Sequence, residues 1–265
     1  KIDINMNYSK KIYKLDSKKK LRVLHVYTEG DTLFQESGLV DGNLITHESV
    51  CKPKNIGKTN ETTAEEQALA EANSKIMNKM STGYFNTKEE AEASNVILPM
   101  LAKSFDKEVH KVEYPCYVQP KLDGMRALGF EDKLLSRKGK EIDTVTHIMD
   151  EIKSLNLGDI ILDGELYVHG ETFQDNMRLI KKYRPGETEY VKYHVYDIVN
   201  NEPFTTRFAR LEQLVSKCEH IVIVPTVCVI NEEEIKTLHS KSLSMGYEGT
   251  IIRWGYEPYK VNGRS

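Results

Sequence analysis

Lys121-Leu122-Asp123-Gly124-Met125-Arg126 is the stretch on which the fold turns, set between Cys116-Tyr117-Val118-Gln119 and Ala127-Leu128-Gly129-Phe130. The runs Cys116–Gln119 and Met125–Phe130 alternate or carry β-branched residues, as buried strands do. The Asp123-Gly124 pair between them is turn chemistry. The reading is a hairpin-like loop with Lys121 at its tip, an acid two residues on and Arg126 five residues on. An amine attacks only after losing its proton, and burial or cationic neighbours favour that form. Lysine and Asp-Gly alone also describe an ordinary charged surface turn, so the stretch gains meaning from its company.

That company is ordered along the chain. Leu162–Tyr167 (L-D-G-E-L-Y) places Glu165 at a second strand turn. Tyr193–Ile198 (Y-H-V-Y-D-I) reads as a strand ending in an aromatic and an acid. Tyr247–Arg253 (Y-E-G-T-I-I-R) sets Glu248 immediately before a β-branched strand, and Y-K-V-N-G-R-S (259–265) closes the chain. Upstream of the lysine stands Pro99–Ala102, P-M-L-A. With these motifs in this order, the sequence resembles the covalent nucleotidyltransferases, and most closely the ATP-dependent DNA ligases, over roughly residues 96–265.

The resemblance implies a chemistry and a set of roles. Lys121 would attack the α-phosphate of ATP, expel pyrophosphate and hold AMP as a phosphoramidate, which then passes to a 5′-phosphate before a 3′-hydroxyl seals the nick. Lysine suits this because its amine is nucleophilic once deprotonated, whereas arginine stays charged. Gln119 matches the position facing the adenine edge, where an amide can accept from the 6-amino group and donate to a ring nitrogen. Tyr196 takes the position of the ring stacked on adenine. Arg126 and Glu165 match ribose-contacting and metal-associated positions, and Glu248 the second metal-associated acid, so the pair implies Mg²⁺. Arg137, Arg253 and Arg264 match positions near phosphate, where a guanidinium stays charged and donates as a fork. His194 reads as a sheet residue, not an acid–base catalyst.

The fold class expected is α+β, because strands and helices mix irregularly after residue 96 instead of alternating as in a doubly wound fold. Helices are expected near Val145–Leu155, Glu171–Lys182, Phe208–Ser216 and Glu232–Met245. The resemblance implies an antiparallel-sheet, ATP-grasp-like adenylation domain over 96–265, holding the nucleotide between two sheets. Residues 1–85 read as a small β/α unit with strands at Leu21–Tyr27, Thr32–Phe34 and Leu44–Val50. A helix follows from Thr63, where Thr63 and Glu66 have capping-box spacing. This unit resembles a WGR-like module without the Trp-Gly-Arg signature, and reads either as a grip on duplex DNA or as a protein-docking module. Residues 86–95 read as a linker helix with a second capping box, Thr87 and Glu90.

Composition sets the remaining bounds. Hydrophobic residues at 39% support a real core, and no apolar run approaches a membrane span. A net charge of −3 excludes an indiscriminate nucleic-acid coat, so DNA must meet local basic surface such as the Lys1–Arg22 run or Lys181, Lys182 and Arg184. Cys51, Cys116, Cys218 and Cys228 lack zinc spacing, and Cys116 and Cys228 read as buried thiols of a reducing compartment. The expected protein is a monomeric, cytoplasmic or nucleoid-associated, virus-type ligase, partnered by ATP and nicked duplex DNA. It reads as a fragment lacking the lysine-bearing strand and oligonucleotide-binding domain that follow in the family. An RNA ligase of the same superfamily is the nearest rival. A guanine-using capping enzyme and a non-catalytic nucleic-acid-binding module are the others; Gln119 opposes the former, intact Lys121, Glu165 and Glu248 the latter.

Overall fold

The computed structural model describes residues 8–16, 18–94 and 97–264, divided into two compact units at Lys1–Val96 and Ile97–Ser265. In the first unit, β1 (Ser9–Leu15), β2 (Leu21–Glu29), β3 (Thr32–Leu39) and β4 (Ile45–Val50) form an antiparallel meander in sequence order. Ile12, Leu24, Val26 and Leu33 point to one face, where Ala68, Ala72 and Ile76 of α1 (Ala64–Met80) complete a small core. The expected capping box is present: Thr63 accepts from the Glu66 amide, and Glu66 accepts from the Thr63 amide. The second box, Thr87 and Glu90, starts α2 (Lys88–Ala93), which lies against β1. Lys1, in the basic run, and Asn95 and Val96, at the expected domain border, lie outside the described residues.

The second unit carries α3 (Phe105–Glu108), β5 (Cys116–Lys121), β6 (Met125–Gly129), β7 (Leu134–Ser136), α4 (Thr146–Ser154), β8 (Leu162–Tyr167), α5 (Phe173–Lys181), β9 (Lys192–Ile198), α6 (Phe204–Val215), β10 (Ile221–Ile223), β11 (Val227–Val229), α7 (Glu232–Ser244) and β12 (Gly249–Trp254). It is an α+β fold with two sheets, ordered β10-β9-β8-β6-β7 and β11-β5-β12, antiparallel except for β9 with β10. The five-stranded sheet buries Ala127, Leu162, Leu166, Tyr193 and Val195 against Ile148, Ile152, Leu179 and Leu211 of the helices. The three-stranded sheet has its own core, Cys116, Val118 and Val229 with Ile235 of α7.

Four expectations are corrected. β5 and β6 do not pair, so Leu122–Gly124 is not a hairpin turn but a crossing from one sheet to the other. A hairpin needs its two strands in one ladder, and here β5 is already flanked on both sides by β11 and β12. Glu165 lies inside β8, not at a turn. Gly164 serves close packing there: a Cβ would come 2.5 Å from the His194 carbonyl oxygen and 2.8 Å from the Tyr193 ring. Cys228 is exposed, because β11 is an edge strand, while Cys116 on the central strand is buried. Finally, α6 begins at Phe204, four residues before the expected Phe208, because Phe204 is buried and anchors the first turn after Pro203.

Candidate active site

The two sheets enclose a cleft of about 790 Å³. Its lining includes Lys121, Asp123 and Gln119 from β5 and the crossing, Arg126 from β6, Glu165 from β8, Tyr196 from β9, and Glu248 and Arg253 at β12. Arg137 also reaches it, from the turn after β7. All the predicted site residues except Arg264 therefore converge on one cavity. Arg264 lies beside it, donating to the Ala102 carbonyl at 3.2 Å. The terminal motif is tied to the P-M-L-A segment, since the Leu101 amide donates to Gly263 O (2.9 Å) and the Leu98 amide to Asn262 Oδ1 (2.6 Å).

A β-bulge arranges the far wall. The β8–β9 ladder passes from Asp163 opposite Asp197 to Gly164 opposite Val195, leaving Tyr196 as the extra residue. Strict alternation would turn Tyr196 and Asp197 to opposite faces; with the bulge both share the face of Asp163 and Glu165. Tyr196 thereby lines the cleft, with the Arg126 and Arg253 guanidinium carbons 5.3 and 5.2 Å from its ring centroid. Burial holds its hydroxyl firmly in the protonated form.

Lys121 ends β5, paired opposite Gly249, and its Nζ donates to Glu248 Oε1. Both side chains are open to the cleft, at 43% and 44% exposure. Glu165 behaves differently. Burial is the main force on its carboxyl and pushes its pKa up to about 8, while Arg126 and Lys121 pull it down and Asp163 pushes it further up. As it stands, Glu165 is mostly neutral at pH 7.

Behind the lining lies a buried charged network. Asp163 accepts from Arg126 Nε (2.9 Å), Arg126 Nη2 (2.6 Å) and the Tyr259 hydroxyl (2.6 Å). Arg126 also donates to Met100 O at 2.8 Å, so its Nε and Nη2 are engaged by protein. Asp197 accepts from Arg207 Nε (2.7 Å), Arg207 Nη2 (3.0 Å) and Arg253 Nη1 (2.8 Å). Arg253 is thus paired with Asp197, which it shares with Arg207, whereas Arg137 makes no hydrogen bond or ion pair with the described residues.

Gln119 is 2% exposed. Its Nε2 donates to Thr226 Oγ1 (2.9 Å) and Tyr196 O (3.3 Å), and its Oε1 accepts from Arg253 Nε at 2.7 Å. Both N–H groups are committed to protein, so the expected two-point contact with adenine, accepting and donating, is not available in this arrangement. Only one acceptor lone pair of Oε1 remains. Asp163, Arg207 and Thr226 went unnoticed in sequence, and Asp197 read only as the acid that follows Tyr196 in its strand. Asp163 had a signal, since it stands inside L-D-G-E-L-Y. Arg207 had none, because an arginine on an amphipathic helix ordinarily faces water.

His194 lies half-buried beside Tyr167, and burial lowers its pKa to about 4, so it is neutral at pH 7. Among the described residues no group of three His, Cys, Asp or Glu side chains forms a metal cage. The two cleft carboxylates, Glu165 and Glu248, nevertheless fit Mg²⁺, which keeps several waters and takes remaining ligands from substrate phosphates.

Comparison with known proteins supplies a family. The family model for the ATP dependent DNA ligase domain matches residues 99–265. A DNA ligase of African swine fever virus (isolate Warthog/Namibia/Wart80/1980) is 30% identical over 259 residues, covering 90% of this chain and 58% of its own length. The chain thus spans a little over half the length of that viral relative. Among solved structures, the Chlorella virus DNA ligase–adenylate is 26% identical with a TM-score of 0.53, covering 63% of each chain. A chain described as Pmar-Lig_PreS3 shares the fold, with a TM-score of 0.57 at 23% identity over 67% of this chain and 47% of its own.

Proposed function

The chain belongs to the ATP-dependent DNA ligase family, and from that premise we propose that it carries AMP on Lys121 and serves to seal nicks in duplex DNA. The observation that carries this reading is the convergence of Lys121, Glu165, Tyr196, Arg137 and Glu248 on one cleft. In the first step, Lys121 Nζ forms a bond to the α-phosphorus of ATP as the bond to pyrophosphate breaks. The ammonium must first release a proton, and Glu248 Oε1, already hydrogen-bonded to Nζ, is the acceptor at that atom. Displacement at phosphorus is catalysed chiefly by holding the groups in line and countering charge. Arg137, the one cleft arginine without a carboxylate partner among the described residues, donates to the phosphates. The Tyr196 ring, backed by two guanidinium groups, offers a flat face to the base.

Glu165 and Glu248 would hold Mg²⁺, which neutralises charge accumulating on the transferring phosphate. A cation there also favours the ionised form of Glu165, reversing the effect of burial. AMP then passes to the 5′-phosphate of a nick, and the 3′-hydroxyl displaces it. For duplex DNA, the first unit offers basic surface. Lys14 and Lys79 stand 4.7 and 5.7 Å from the Tyr84 ring, and Arg22 joins them, with Asp16 3.9 Å away as its counter-charge among the described residues. That unit therefore grips phosphate in a sequence-independent way.

The test uses α-labelled ATP and Mg²⁺. Wild-type chain should acquire acid-labile, base-stable label. Lys121→Ala and Lys121→Arg should acquire none while circular dichroism shows both folded, because neither presents a free amine. Label at normal stoichiometry on either variant would end the assignment.

A further inference from the structure

We propose that Thr226 is a positioning residue that holds the second N–H of Gln119 and so sets base selectivity in the nucleotide cleft; the inference rests on the reading of that cleft as an ATP site. A glutamine amide can present either its oxygen or its NH₂ to a ligand, and the two ends prefer opposite base edges. Here three neighbours remove the choice. Arg253 Nε has only a hydrogen to give, so the atom 2.7 Å from it must be Oε1. The Tyr196 carbonyl can only accept, so the atom 3.3 Å from it must be Nε2. Thr226 alone has a hydroxyl that both gives and accepts. Its hydrogen is committed to the Val224 carbonyl at 3.0 Å, which leaves Oγ1 as an acceptor for the second Gln119 N–H at 2.9 Å.

Gln119 is therefore an acceptor with no donor to spare. A 6-amino group can give it a hydrogen bond. A 6-oxo group meets the same lone pair with another, and that repulsion disfavours guanine. Thr226 does not itself line the cleft, so it acts only through the amide. It sits in the loop between β10 and β11, 107 residues along the chain from Gln119. Selectivity is thus divided among three strands of two sheets and a loop residue that does not line the cleft.

Thr226→Val keeps the shape but removes the acceptor, so one N–H of Gln119, a side chain that lines the cleft, loses its partner. A 6-oxo group there would satisfy it. Thr226→Ser keeps the hydroxyl and should rescue. The experiment measures the binding of ATP and of GTP to the 265-residue chain by calorimetry, and the ratio of Lys121 labelling by the two nucleotides. The expected result is a wild-type preference for ATP that falls about tenfold in Thr226→Val and is retained in Thr226→Ser. An unchanged ratio in a folded Thr226→Val, or an equal fall in Thr226→Ser, would overturn the role of Thr226 while leaving the ATP site standing. A wild-type chain that binds neither nucleotide would overturn the ATP-site reading and this inference with it.

Discussion

Replacing Glu165 with Gln should flatten the pH dependence of folding stability. In the folded chain burial raises the Glu165 pKa from 4.5 to about 8. The native state therefore holds this proton more tightly than the unfolded state does. Stability conferred by that preference is fully present below about pH 4.5 and is lost as pH rises toward about 8. Within that window each pH unit is worth roughly 1.4 kcal/mol. Between pH 5 and pH 8 the wild-type chain should lose about 3 kcal/mol through this residue alone. Gln keeps the size and hydrogen-bonding reach of the side chain but cannot ionise, so Glu165→Gln should lack that loss. Every other titrating group is common to both chains and cancels in the difference. Urea unfolding at half-unit pH steps would measure it, with equal m-values required. Parallel stability curves for the two chains, or a wild-type curve that rises relative to the variant, would refute the idea that Glu165 is neutral in the cleft at pH 7.

Two further outcomes follow from the same cleft and the network behind it. At pH 7 Glu165 is mostly protonated; Mg²⁺ entering with ATP should expel a proton, read by calorimetry in buffers of different ionisation enthalpy, and Glu165→Gln should expel almost none. Asp197→Ala leaves Arg207 and Arg253 buried without their shared carboxylate, and should destabilise the chain by about 3–5 kcal/mol in urea unfolding; a change below about 1 kcal/mol would mean that water reaches the pair.

Legibility in the sequence divided along physical lines. The capping boxes at Thr63 and Thr87 and the helix over Glu232–Ser244 were visible because caps and helical periodicity are local. Lys121, Glu165, Tyr196 and Glu248 were visible because motif order carries over from a family. Sheet membership was not visible. Asp-Gly at 123–124 has the chemistry of a hairpin, yet pairing is decided by which strands are free, and β5 lies between β11 and β12. The state of Gln119 was hidden for a similar reason: its partners lie 77, 107 and 134 residues away. Arg253 read only as a position near phosphate because nothing local marks Asp197 as its partner, and nothing at all marks Arg207.

The extra residue in β9 makes the strand a place where position along the chain and side of the sheet are no longer interchangeable descriptions. Before Tyr196, odd residues such as Tyr193 and Val195 belong to the interior; after it the phase is inverted, and Asp197 is turned to the cleft side with Asp163. Deleting Tyr196 would put the strand back in step with β8, since Val195 already stands opposite Gly164 and Asp197 opposite Asp163. The acid shared by Arg207 and Arg253 would keep its side of the sheet, and Ile198 its place in the core. What would go is the ring at the cleft wall. The bulge is thus a device for placing one side chain, and the register on either side of it would survive its loss.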